Sequence, residues 1–174
     1  MLKKCLKLSL LLALVGLLPS MAEAQQRRFK TALIGFEEVP SLSTPATGTF
    51  EMKINVEDTA FDYELSYSGL VGNVLQAHTH LGQQGVIGGI MVFFCTNLGN
   101  GPAGTQLCPQ EGTVTGTIMA ADVVGPSGQG ISAGEFAEVL KAIRGGAAYV
   151  NVHSSVFPPG EIRGQLVPGE KHRP

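Results

Sequence analysis

Charge is scarce in this chain. Only 15% of its 174 residues are Asp, Glu, Lys or Arg, against a usual share of about a quarter. The 12 basic and 14 acidic side chains leave a formal charge of -2. That balance excludes an extended polyanion-binding surface and a disordered acidic tail. No apolar run approaches the roughly 20 residues that cross a bilayer as a helix; the longest, Leu8–Leu18, has eleven. The chain has no N-x-S/T acceptor, no repeat of fixed period and no Gly-rich phosphate loop in a strand-turn-helix setting, so nucleotide and nucleic-acid binding are set aside. No serine sits in a G-x-S-x-G elbow and no Asp is placed to orient a histidine in a recognisable order, which removes the hydrolase templates.

Cysteine is scarce as well, with three residues. Cys5 lies ahead of the apolar run. Lys3, Lys4 and Lys7 precede that run, Pro19 breaks it, and Ala22-Glu-Ala24 supplies small residues at the two positions a signal peptidase reads. This pattern predicts a signal peptide over 1–24, cleaved before Gln25, and hence a secreted or periplasmic protein without a transmembrane anchor. The remaining 9 basic and 13 acidic side chains give the mature chain a formal charge of -4. Cys95 and Cys108 then form an even pair in an exported chain, which favours a disulfide over two buried thiols. With a loop of this length the bond is worth roughly 3 kcal/mol.

Glycine and proline are plentiful: 23 and 10 residues, together about 19% against a usual 12% or so. Long helical bundles are excluded. Phe50, Met52, Ile54 and Val56 alternate with Thr49, Glu51, Lys53 and Asn55, and after Glu57-Asp58-Thr59 the apolar set Phe61, Tyr63, Leu65, Tyr67 resumes the same period. This is a β-hairpin. Short runs at 29–37, 73–81, 86–95, 112–119, 147–153 and 161–167 bring the expected strands to eight. The fold class is therefore all-β, an antiparallel sandwich or Greek-key barrel, immunoglobulin-like or superoxide-dismutase-like. One short amphipathic helix is expected near 132–144: Ser132 and Glu135 have capping-box spacing, Phe136, Val139, Leu140 and Ile143 share a face, and Gly145-Gly146 ends it. A single domain over 25–168 and a polar tail over 169–174, with His172 in solvent, complete the layout.

Three of the four histidines fall in strands: His78 and His80 as H-x-H, and His153 at the end of Tyr149-Val-Asn-Val-His153. Residues two apart in a strand share a face with α-carbons about 6.6 Å apart, so both rings can tilt onto one ion. A neighbouring strand must bring His153. His78 and His80 share parity with Gln76, opposite Leu75, Ala77 and Leu81, and His153 shares parity with Tyr149 and Asn151, opposite Ala148, Val150 and Val152. Both strands therefore place the histidines on their more polar face, expected to point outward. Glu161 and Arg163 have the parity to stand beside them as supporting residues. Three imidazoles with an open position suit copper or zinc, and with no Met or Cys beside them a blue-copper centre is disfavoured. The bland alternative is a polar strand face without an ion. Glu37-Glu38 is expected to be a surface strand end rather than a carboxylate dyad, since adjacent strand residues face opposite ways.

Four blocks run in order along the chain: Glu38-Val-Pro40 with Thr44-Pro-Ala-Thr-Gly-Thr49, Ser68-Gly-Leu70, Ala77-His-Thr-His80, and Tyr149-Val-Asn-Val-His153 followed by Pro159-Gly-Glu-Ile-Arg-Gly-Gln-Leu166. Together they resemble a CHRD domain over about 29–167, with departures at Ser41 and Leu81-Gly82, where that family commonly carries proline and Gly-Pro. The resemblance implies an extracellular β-rich, immunoglobulin-like module, with no established activity for most bacterial members. Together with the histidines and the charge balance, the preferred reading is a non-catalytic binding or structural module whose partner is a metal ion or an extracellular protein and not nucleic acid. The H-x-H strand is also similar in kind to the copper site of copper-zinc superoxide dismutase, which implies the alternative of an exported copper-dependent redox enzyme.

Overall fold

A computed structural model describes residues 27–169. The expected leader and the tail from 170 onward, with His172, lie outside these residues. The strands are β1 (Arg28–Ile34), β2 (Thr47–Ile54), β3 (Ala60–Ser68), β4 (Val74–Leu81), β5 (Ile90–Thr96), β6 (Gly112–Met119), β7 (Ala148–Ser154), β8 (Ile162–Gln165) and the two-residue β9 (Val167–Pro168); the helix is α1 (Phe136–Arg144). All pairings are antiparallel, in the order β5-β4-β7-β8-β1-β2-β3-β6, with β9 beside β1. The expected hairpin is β2–β3, in register from Thr47↔Ser68 to Ile54↔Phe61. Its alternation holds because Phe50, Met52, Ile54, Phe61, Tyr63 and Leu65 are all buried in one core.

The sheet curls until its end strands meet, giving a nearly closed barrel. The seam between β5 and β6 is bridged at one point by Val92↔Val123 and elsewhere by the loop that joins the two strands. Thr96 N–H donates to Gln106 O at 2.9 Å, and Gln106 Nε2 donates across the seam to Thr115 O and to Tyr63 Oη, each at 2.9 Å. Around the ring β5 and β6 separate the consecutive strands β3 and β4, which is a Greek-key connection. The expected disulfide Cys95–Cys108 is present and ties this loop to β5. Replacing both cysteines by alanine should lower unfolding free energy by about 3 kcal/mol, read as a lower denaturant midpoint at constant slope. An unchanged midpoint would mean that the Val92↔Val123 bridge and the Gln106 hydrogen bonds hold the seam without the disulfide.

The helix begins one turn later than its capping box suggests. Gly134 has φ +85°, a left-handed conformation that cannot continue a helix, so Ser132–Glu135 forms a separate turn in which Ser132 N–H donates to Glu135 Oε2 at 2.6 Å. The apolar face is as expected, with Phe136, Val139, Leu140 and Ile143 buried. Phe136 stacks on Phe61 at 5.9 Å, and Arg144 pairs with Asp58 in the β2–β3 turn at 2.8 Å. The strand expected over 86–95 starts only at Ile90, because Leu81–Gly89 forms a loop whose ends meet through Leu81 N–H and Gly89 O at 2.9 Å.

Candidate metal centre

The pairing of β4 with β7 places Asn151 opposite His78, Tyr149 opposite His80 and Gln76 opposite His153. His153 is thus one rung diagonal from His78, and the three rings converge. Centroids are 5.4 Å apart for His78–His80, 4.9 Å for His78–His153 and 6.2 Å for His80–His153, and one ligating nitrogen from each lies within 4.8 Å of the others. Two register irregularities between β4 and β5 flank these residues, as bulges that re-aim side chains commonly do. They set Phe93 edge-on to His78 at 4.4 Å.

The outward orientation expected from parity needs correction. The histidine face does lie opposite the core-lining Ala77, Val150 and Val152, yet it is not solvent-facing. His78, His80 and His153 are 0%, 8% and 5% exposed. Chain from elsewhere roofs them over. Arg163, buried and opposite Asn151 on β8, lays its guanidinium 3.4 Å above the Tyr149 ring and donates from Nη2 to Gln83 O and Val86 O at 3.1 and 2.8 Å. That pins the 82–88 loop down. Tyr149 in turn stacks flat on His80 at 4.8 Å.

Hydrogen bonding fixes the tautomers. The Nδ1–H of His80 donates to Gly88 O at 2.9 Å and that of His153 to Pro158 O at 2.8 Å. A neutral imidazole carries one ring proton, so in both residues Nε2 holds the lone pair. Metal-binding histidines are commonly oriented by such a carbonyl. The Nδ1–H of His78 donates to His153 Nε2 at 3.2 Å, standing where a cation would sit. Buried and without any partner are His78 Nε2 and His80 Nε2, which is unusual for ring nitrogens out of reach of water. Burial holds the rings neutral: it pushes His78 down to about 2 and His80 to about 4, and lowers His153. Groups this far from neutrality are poor general bases, but neutral lone pairs are what a transition metal requires.

Glu38 corrects a second expectation. It is buried, 7% exposed, because the chain leaves β1 through a 3-10 turn at Gly35–Glu37 and carries it inward while Glu37 accepts from Gln84 Nε2 at 3.1 Å. Burial raises its pKa to about 7, opposed by the nearby charge of Arg163 and a hydrogen bond from Asn151. Asn151 Oδ1 stands 2.9 Å from His153 Nε2; with Nε2 carrying the lone pair both atoms are acceptors, so Asn151 crowds the imidazole without a hydrogen bond to it. Only glycine fits at 160: a Cβ there would collide with Glu38 Oε1 and lie 2.7 Å from Asn151 Nδ2. The two expected supporting residues separate. Arg163 acts on the cluster through Tyr149, whereas the buried Glu161 accepts from Thr44 Oγ1 at 2.6 Å and Val71 N–H at 2.8 Å and ties two loops together.

Sequence reasoning missed Glu38, Asn151 and Tyr149. Their signal lay in Glu38-Val-Pro40 and in the parity that Tyr149 and Asn151 share with His153. Among the described residues no helix is long and apolar enough to cross a membrane. Comparison with curated proteins and with solved structures found no match. The profile of the CHRD domain matches residues 29–166, a span that holds every strand-borne residue of the cluster together with its roof, and the chain belongs to the CHRD-domain family.

Proposed function

We propose that this protein is an exported, non-catalytic CHRD module in which His78, His80 and His153 hold one copper or zinc ion. The observation that carries the proposal is the pair of Nδ1–H bonds to Gly88 O and Pro158 O, which aims two buried lone pairs beside a third imidazole. The disulfide supports an oxidising compartment, in keeping with the leader pattern over 1–24. Burial supports holding an ion over turning over a substrate, since a catalytic metal keeps a position open to its reactant and these rings are walled in by Phe93, Tyr149 and the 82–88 loop. Family membership points the same way. Superoxide or peroxide turnover by copper-loaded protein would favour the redox-enzyme alternative.

The test is metal content of the mature protein purified from its native compartment, with and without His78→Ala. One equivalent of copper or zinc is expected in the wild type, together with a rise in melting temperature on loading, and less than a tenth of an equivalent in the variant. Equal content in both would remove His78 from the site.

A further inference from the structure

Which ion fits depends on the donor set, its charge and its coordination number, and any such choice rests on the proposed three-histidine site. The cluster offers three neutral nitrogens and, among the described residues, no carboxylate within the ligand group. Glu161 Oε1 is engaged with Thr44 and Val71 while its Oε2 is buried without a partner, and Glu161 is outside the ligand group. Glu38 is outside the ligand group and lies on the far side of Asn151, which hydrogen-bonds to it. Arg163 places a full positive charge one ring removed across Tyr149 from His80.

The cost of placing an ion in a medium of low dielectric grows with the square of its charge, so a dication suffers about four times the penalty of a monocation there. Zinc(II) in addition takes four ligands, and copper(II) favours square-planar or tetragonal sites. A d10 monocation can be satisfied by three. Among the metals that imidazole binds well, namely zinc, copper, iron and nickel, copper alone has an accessible monovalent state. We infer that the site is built for cuprous ion, held trigonally by His78, His80 and His153 and favoured over zinc(II) and copper(II) by the lack of an anionic ligand and by the buried charge of Arg163.

The experiment is an anaerobic competition on the mature protein. Copper(I) is presented through a chromophoric cuprous chelator, zinc(II) through a zinc indicator, and copper(II) through an amino-acid buffer, each with wild type, His78→Ala and Arg163→Gln. Cuprous affinity should exceed that for either dication by at least about a hundredfold. Arg163→Gln should narrow that gap at least about tenfold, read as the ratio of cuprous to divalent affinity, so that any loosening of the 82–88 loop, which affects all three ions, cancels. If that variant does not fold, Glu38→Gln serves instead and should widen the gap, because it removes a buried carboxylate beside Asn151. Zinc(II) or copper(II) binding as tightly as copper(I), and lost in His78→Ala, would overturn the cuprous inference while leaving the three-histidine site intact. Absence of binding by all three ions, or binding indifferent to His78→Ala, would overturn the site itself.

Discussion

Gly88→Ala should abolish metal retention and cost the fold about 4 kcal/mol. A Cβ at this position would overlap Leu81 O and lie 2.5 Å from the Leu81 carbonyl carbon, both backbone atoms that cannot swing aside as a side-chain tip can. The loop must move. Gly88 O accepts the Nδ1–H of His80 at 2.9 Å, and Gly88 N–H donates to Tyr149 Oη at 3.2 Å, so its movement strands a buried imidazole N–H and loosens the ring stacked on it. Overpacking strain costs about 1–3 kcal/mol and an unpartnered buried donor a further 1–3 or so. With no acceptor at Nδ1 the His80 tautomer is no longer fixed, and its Nε2 is as apt to carry the proton as the lone pair. Gly128→Ala is the control, as a Cβ there meets nothing within 4 Å. Metal content and denaturation midpoint should both fall for Gly88→Ala and neither for Gly128→Ala. Full metal content in Gly88→Ala would show that the Gly88 carbonyl does not orient His80.

The contrast between Gly88 and the hairpin shows which parts of this protein are legible in its sequence. The β2–β3 pair could be read because Phe50, Met52, Ile54, Phe61, Tyr63 and Leu65 face a core made by the barrel itself, and a period of two records that contact locally. The buried face of α1 is legible for the same reason, while its start is not, since the positive φ of Gly134 is a backbone choice that composition only hints at. At the candidate metal centre, parity correctly turns His78, His80 and His153 away from the barrel interior. What covers them could not be read. The roof consists of 82–88, 155–160 and Glu38, which are distant in the chain and meet only when β4, β7, β8 and β1 lie side by side. Glu38 was hidden by its neighbour, because the alternation rule applied to Glu37-Glu38 holds for a strand and this segment is a 3-10 turn.

Stability of the metal-free protein should fall as pH drops below about 6.5, shallowly at first and then steeply below about 4.5. The histidines supply the loss. Their folded pKa values are depressed, to about 2 for His78 and about 4 for His80, while in the unfolded chain each takes a proton near 6.5. Below that pH the unfolded state binds protons the folded state refuses, so stability is full above 6.5 and drains as pH falls toward each folded value. Each pH unit in that window costs about 1.4 kcal/mol per fully refractory histidine. Glu38 acts in the opposite sense. Its folded pKa is raised from 4.5 to about 7, so the folded state takes up its proton first, and stability rises as pH falls from 7 to 4.5, then gains no more. Between those limits one carboxyl offsets about one histidine, and His78 together with the contribution of His153 leaves a net loss; below 4.5 the offset ends and the slope steepens by about one histidine's worth until His80 takes up its own proton near 4. Chemical denaturation with chelator at pH 7.5, 6, 5 and 4 measures the profile, and Glu38→Gln isolates the offset. The variant should lose stability steeply from pH 6.5 downward, without the shallow region. Superimposable profiles for wild type and Glu38→Gln would mean that Glu38 titrates as an ordinary carboxyl, and a flat profile down to pH 4 would mean that the histidines take up protons inside the fold.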